Sequence, residues 1–166
     1  MTSSDLKEAI AGMIAGLWPD RMLYRDFCPA DFQRPSGFLY VTSTGFTDAN
    51  LGLVQWDFEA ELALYAATDA YTVESTEALR ADQDAVLALF GGPSIPVGDR
   101  HVTVLAAAEA PGPGVAYVSF TASWIDARPG YHDPEDPADP ETAKVPKMEH
   151  YEINNTAGTA GSGKEG

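Results

Sequence analysis

The residues best spaced for chemistry are three carboxylates in alternation, Asp57, Glu59 and Glu61. On an extended chain such residues project to one side, about 7 Å apart. A carboxylate pair can act as general acid and base where a cleft perturbs its protonation. Without a cleft the same row is the wet face of a sheet. A third reading puts it on the wall of a channel inside an oligomer, where negative charge keeps DNA from adhering. The other candidates point to less. His101, His132 and His150, with the acids between 133 and 141, are metal-ligand types, but their spacing matches no ligand pattern. Those acids alternate with prolines, which argues against the Gly-centred loop of an EF-hand and for solvated charge. Cys28 is the sole cysteine, so no intrachain disulfide can form, and its aromatic setting reads as a small buried residue. Trp18, Trp56 and Trp124 read as core packing. Glycine-rich phosphate loops, the Gly-x-Ser-x-Gly elbow and His-Glu-x-x-His are absent. On this basis no catalytic, metal or cofactor-binding residue is assigned.

The carboxylates sit in the clearest element of the chain. Val54, Trp56, Phe58, Ala60, Leu62 and Leu64 alternate with Gln55, Asp57, Glu59, Glu61 and Ala63. This period of two predicts a strand with one buried and one wet face, and a wet face argues for antiparallel pairing. Upstream, Leu6, Ile10, Met13, Ile14 and Leu17 share one side of a helix over 5–17. Ser4 or Asp5 would cap it, with Glu8 completing a capping box, and Pro19 would end it. Gly12 and Gly16 weaken this helix, so packing must hold it. A short strand over 22–27, a loop over 28–36, a strand over 37–46 and a turn at Asp48-Ala49-Asn50 follow.

Downstream, a second helix over 75–90 would be capped by Ser75 or Thr76 and stopped by Gly91-Gly92-Pro93. Leu79, Val86, Leu87 and Phe90 form its apolar face. Strands over 101–106 and 115–125 flank a Pro/Gly turn at 111–114 and predict a hairpin. The second of them carries apolar residues on both sides, which suits a central position. Residues 126–147 are rich in proline and acid and read as an arm, and 148–154 alternate as a returning strand. The expected fold is α+β, a mostly antiparallel sheet with two main helices packed on one face. Residues 1–125 plus 148–155 form its single domain, with an arm at 126–147 and a flexible Gly-rich tail at 156–166.

Composition narrows the function. At 166 residues and 45% apolar content the chain can build one real core. Its formal net charge is −15, and Pro35 to Leu79 holds seven acids and no Lys or Arg. That balance argues against direct duplex binding and against anionic membranes. No stretch approaches the roughly 20 apolar residues of a membrane span. The polar segment Met1–Glu8 lacks the apolar run of a signal peptide, so a cytoplasmic start is expected.

The order of elements carries a resemblance. A short helix ends in Leu17-Trp18-Pro19-Asp20, and Met22-Leu23-Tyr24 follows. Then come Arg34-Pro35-Ser36-Gly37-Phe38-Leu39-Tyr40-Val41, a long alternating strand, a helix and a strand pair. The close is Met148-Glu149-His150-Tyr151-Glu152-Ile153-Asn154. This resembles the tail-terminator (tail-completion) proteins of long-tailed bacteriophages over residues 5–154. The resemblance implies a virion structural protein with no catalysis and no cofactor. It implies a homo-oligomeric ring, usually a hexamer, at the head-proximal end of the tail, assembled in the bacterial host cytoplasm. The partners would be the tail tube protein and the head–tail connector, with DNA passing through the lumen without specific binding, and no membrane. Asp57, Glu59 and Glu61 are then lumen or wet-face candidates. Tyr131, His132, Asp133, Glu135 and Asp136 are candidates for an inter-subunit arm that orders on assembly. Two other classes stay open: another head–tail joining subunit or an adaptor whose acidic arm binds a basic partner, and a small α+β enzyme using Asp57, Glu59 or Glu61.

Overall fold

The computed structural model describes residues 1–67 and 76–132. Helix α1 spans Ser3–Leu17, with Leu6, Ile10, Ala11 and Ile14 buried at helical spacing. It starts earlier than the sequence pattern suggests because Thr2 caps it, not Ser4 or Asp5. The Asp5 N–H donates to Thr2 Oγ1 at 3.2 Å, and the Thr2 N–H donates back to the Asp5 carboxylate at 2.8 Å. Asp5 is therefore the reciprocal partner of the capping box, and Glu8 is free to pair with Arg25.

Three strands follow: β1 Met22–Arg25, β2 Ser36–Asp48 and β3 Leu53–Tyr65. Helix α2 spans Thr76–Leu89, and Ser75 lies outside the described residues. The order closes with β4 Ile95–Val97, β5 Arg100–Val102, β6 Val104–Ala108 and β7 Val115–Ala127. The main sheet runs β1-β2-β3-β7-β6, and β4 and β5 form a separate pair. The fold is α+β and the sheet mostly antiparallel, as the alternation in β3 implies. The exception is β1, which pairs with β2 in parallel from Met22 opposite Ser36 to Arg25 opposite Leu39.

Both helices pack on one face of the sheet. Leu6, Ile10, Ile14, Leu79 and Val86 meet Leu39, Phe58, Leu62, Val118 and Phe120 in one buried cluster. Each such side chain contributes roughly 1.5–3 kcal/mol by leaving water. One polar group joins them: Gln83 of α2 is buried, and its Nε2 donates to the carbonyls of Glu109 and Tyr117, both at 2.8 Å. Arg21 links the end of α1 to the middle of α2, stacking over Trp18 at 4.5 Å and pairing with Asp82 at 2.6 Å.

Two departures from the sequence reading matter. The stretch expected as one strand over 101–106 is divided at Thr103, where the chain leaves the β4–β5 pair and enters the main sheet. Val102 and Val104 are both buried, so the alternation runs unbroken through the change of sheet. The second departure is a β-bulge in β2 between Val41 and Ser43. It shifts the register so that Phe46 lies opposite Trp56, which lies opposite Trp124. The three rings form a cross-strand row, with centroids 5.0 Å and 6.1 Å apart. Trp18 and Trp124 pack against the buried cluster as expected, whereas Trp56 rests on Trp124 beyond it.

The first compact unit runs from Met1 to Pro129. Strand β7 continues to Ala127, two residues into the segment read as an arm from 126. The expected strand at 148–154 and the tail at 156–166 lie outside the described residues.

Candidate functional site on the open face of the sheet

Strand β3 is central, between β2 and β7, and its register fixes what each carboxylate meets. Asp57 lies opposite Gly45 and Ser123, Glu59 opposite Ser43 and Thr121, and Glu61 opposite Tyr40 and Ser119. The row faces away from the helices, because Phe58, Ala60 and Leu62, which alternate with its members, are buried in the core. Asp57 and Glu59 are exposed and Glu61 is half-buried. A cation directly across a strand pair would stabilise such a row by about 0.2–1 kcal/mol per pair. None is there. Among the described residues, the ion pairs formed by Lys7, Arg21, Arg25, Arg100 and Arg128 all go to acids outside the row.

The three members differ in their surroundings. Asp57 accepts from Gln55 Nε2 at 3.2 Å. Glu61 accepts from the Tyr40 hydroxyl. Burial, then the hydrogen bond to Glu61 and its charge, push the Tyr40 phenol far above its ordinary range and keep it a donor. Beyond Glu61 the face turns aromatic, with Phe38 stacked on Tyr40 at 4.8 Å and Phe32 against Tyr65 at 4.3 Å.

Asp57 and Glu59 border a recess of about 350 Å³ with Thr103, Leu105, Thr121 and Ser123. Glu61 is not part of it. Two carboxylates and three hydroxyls converge there, a set that can hydrogen-bond a polar ligand or take up a proton but offers no cationic side chain to hold an anion. Thr103 and Leu105 escape sequence reasoning because they arrive from β6 and the link before it, over forty residues from Glu59. Among the described residues, no group of three or more His, Cys, Asp and Glu gathers as for a metal.

The remaining candidates lie apart. His101 is exposed, its Nδ1 3.5 Å from Ser94 Oγ. Cys28 is half-buried, and burial pushes its thiol up, away from the reactive thiolate. Tyr131 and His132 are exposed at the start of the second unit, which begins at Gly130. Asp133, Glu135, Asp136 and His150 lie outside the described residues.

Two basic residues that the sequence reading passed over shape the far end of β3 and β7. Arg128, expected in a loose arm, closes over the β2–β3 turn. Its Nε donates to the Leu51 carbonyl at 2.9 Å, and its Nη2 to Asp48 at 2.8 Å and to the Asn50 carbonyl at 3.0 Å. Arg100 grips Asp126 with two bonds, of 3.1 and 3.3 Å. Burial raises the Asp126 carboxyl, but hydrogen bonds from the Met1 ammonium, the Ala127 N–H and Arg100 outweigh it and hold it below its usual range.

No protein-family model and no curated protein matches the chain. A solved structure whose name states no activity is similar at a TM-score of 0.41 with 12% identity, over 80% of this chain and 99% of its own. No helix among the described residues is long and apolar enough to cross a membrane.

Proposed function

We propose that the chain is a tail terminator of a long-tailed bacteriophage. It is a non-enzymatic virion subunit without a cofactor. Copies of it form a ring, expected to be a hexamer, that caps the head-proximal end of the tail tube and joins it to the head connector. The observation that carries this reading is the one-sided sheet. Helices cover one face, and the other presents Asp57, Glu59 and Glu61 with no cation among the described residues paired to them. A wall of that charge repels phosphates and lets DNA pass through a lumen without being held. The order α1, three strands, α2 and the β6–β7 hairpin is the order on which the resemblance rests. The partners are the tube protein, the connector and the chain itself, and no membrane is involved.

The test is tube assembly. Tube protein polymerised with this chain should give tubes that stop growing and carry one ring-shaped cap at one end in electron micrographs. Tubes that grow without limit and stay uncapped would sink the reading.

One observation favours a second reading. The recess bordered by Asp57 and Glu59 suits a small polar ligand, or hydrolysis with the two carboxylates as acid and base. In that case Asp57→Asn would lose turnover while tube capping was never present.

A further inference from the structure

Among the described residues, the main sheet ends in two unpaired stretches of backbone. At one edge is β6, bonded to β7 on one side only. At the other, β1 covers β2 only from Ser36 to Leu39. Among the described residues, no strand pairs with the outer side of β2 beyond that point. Natural sheets guard such edges with charge, proline or very short strands. The β1 edge is guarded, because Arg25 pairs with Glu8 and Lys7 with the adjacent Asp26. The two free stretches are not. Val104-Leu105-Ala106-Ala107-Ala108 and Ser43-Thr44-Gly45-Phe46-Thr47 carry neither charge nor proline, in a chain of net charge −15.

The two stretches are also complementary. From β2 through β3 and β7 to β6 there are three antiparallel steps, so β2 and β6 run in opposite directions. A second copy set beside the first in the same orientation brings its β2 antiparallel to β6. Side-chain sizes interlock as well. Leu105, 66% exposed, projects on the carboxylate face, where β2 offers only Ser43, Gly45 and Thr47. Phe46, 47% exposed, projects on the opposite face, where β6 offers Ala106 and Ala108.

We propose that β6 of one copy pairs with the outer half of β2, Ser43–Thr47, of the next, so that the sheets join head to tail. This rests on the ring reading above and assigns its contact surfaces. The contact is heterologous and closes into a ring when the rotation per copy allows. Same-orientation pairing places Asp57, Glu59 and Glu61 of every copy on one continuous face.

Cysteine pairing tests it. In a Cys28→Ser background, Leu105→Cys is combined in turn with Ser43→Cys, Gly45→Cys and Thr47→Cys, a scan of the registers that keep both groups on one face. A side chain at Gly45 meets nothing within 4 Å in its own subunit, so that variant keeps the fold. Mild oxidation should give a ladder of covalent multimers for one of the three double variants and none for any single variant. A covalent dimer from Leu105→Cys alone would replace the proposal with β6–β6 pairing about a two-fold axis. No ladder from any pair overturns it, including the case where 148–154 of the same chain covers an edge. Native mass spectrometry of the same samples separates the two failures. A hexamer without a ladder overturns the edge pairing and leaves the ring reading standing. A monomer without a ladder overturns the edge pairing and leaves the terminator reading to tube capping.

Discussion

The two faces of β3 differ residue by residue although they share one backbone. Val54, Phe58, Ala60 and Leu62 are buried, and all but Val54 join the core beneath α1 and α2. Asp57 and Glu59, one residue away, meet only glycine and hydroxyl side chains across the strands. One face is thus defined by the neighbours it has and the other by the neighbours it lacks. Stability resides in the first. The second is open and acidic, a surface that repels other anions.

This contrast can be broken most severely from the covered side. Phe120 is fully buried against Phe90, with ring centroids 4.9 Å apart. Phe120→Ala should lower unfolding free energy by about 3–5 kcal/mol, read from the denaturant midpoint. A loss under about 1 kcal/mol would mean that the helix-covered face does not hold the fold. A smaller effect comes from the polar group on that side. Gln83→Ala leaves the Glu109 and Tyr117 carbonyls without their buried donor and should cost about 1–3 kcal/mol. The least effect is expected from the open face. Asp57→Asn with Glu59→Gln should change stability by no more than about 0.5 kcal/mol, with any change favourable because two like charges disappear. The same double variant should slow or stall DNA passage through assembled tails if the row lines a lumen. A large loss of stability instead would show that the carboxylates hold structure through partners not seen here.

The sequence made one of these faces easy to read and the other only half so. Alternation in β3 placed the carboxylates on one side because period two maps directly onto the two faces of a strand. It could not say that Leu105 and Thr103 complete a recess around Asp57 and Glu59, since those contacts are set by sheet order. Gln83 was legible in principle, four residues after Leu79 and three before Val86, but polarity disguised it as a surface residue. The β4–β5 hairpin went unread, although Gly98-Asp99 between two β-branched stretches is a two-residue hairpin signal. Gly98 takes a φ of 63°, the conformation such a turn needs. The Thr103 break was invisible, since its period of two persists across it. Arg128 was read from its composition as the start of an arm. Its place on the hairpin turn depends on residues about eighty positions earlier.

The extra residue at Thr42 sets how this strand tolerates change in length. Deleting Thr42 itself would remove the bulge and leave Ser43 to Asp48 on their present partners, whereas deleting Thr44 would make every side chain from Gly45 to Asp48 exchange sides. Phe46 would leave Trp56 and emerge among the carboxylates, and Gly45 would turn toward the tryptophans. Insertions and deletions in this half of β2 are therefore not graded in their effect. A change of one residue exchanges the two faces locally, while a change of two keeps them as they are. Relatives of this chain that vary in length here should do so by even steps, or at the bulge itself.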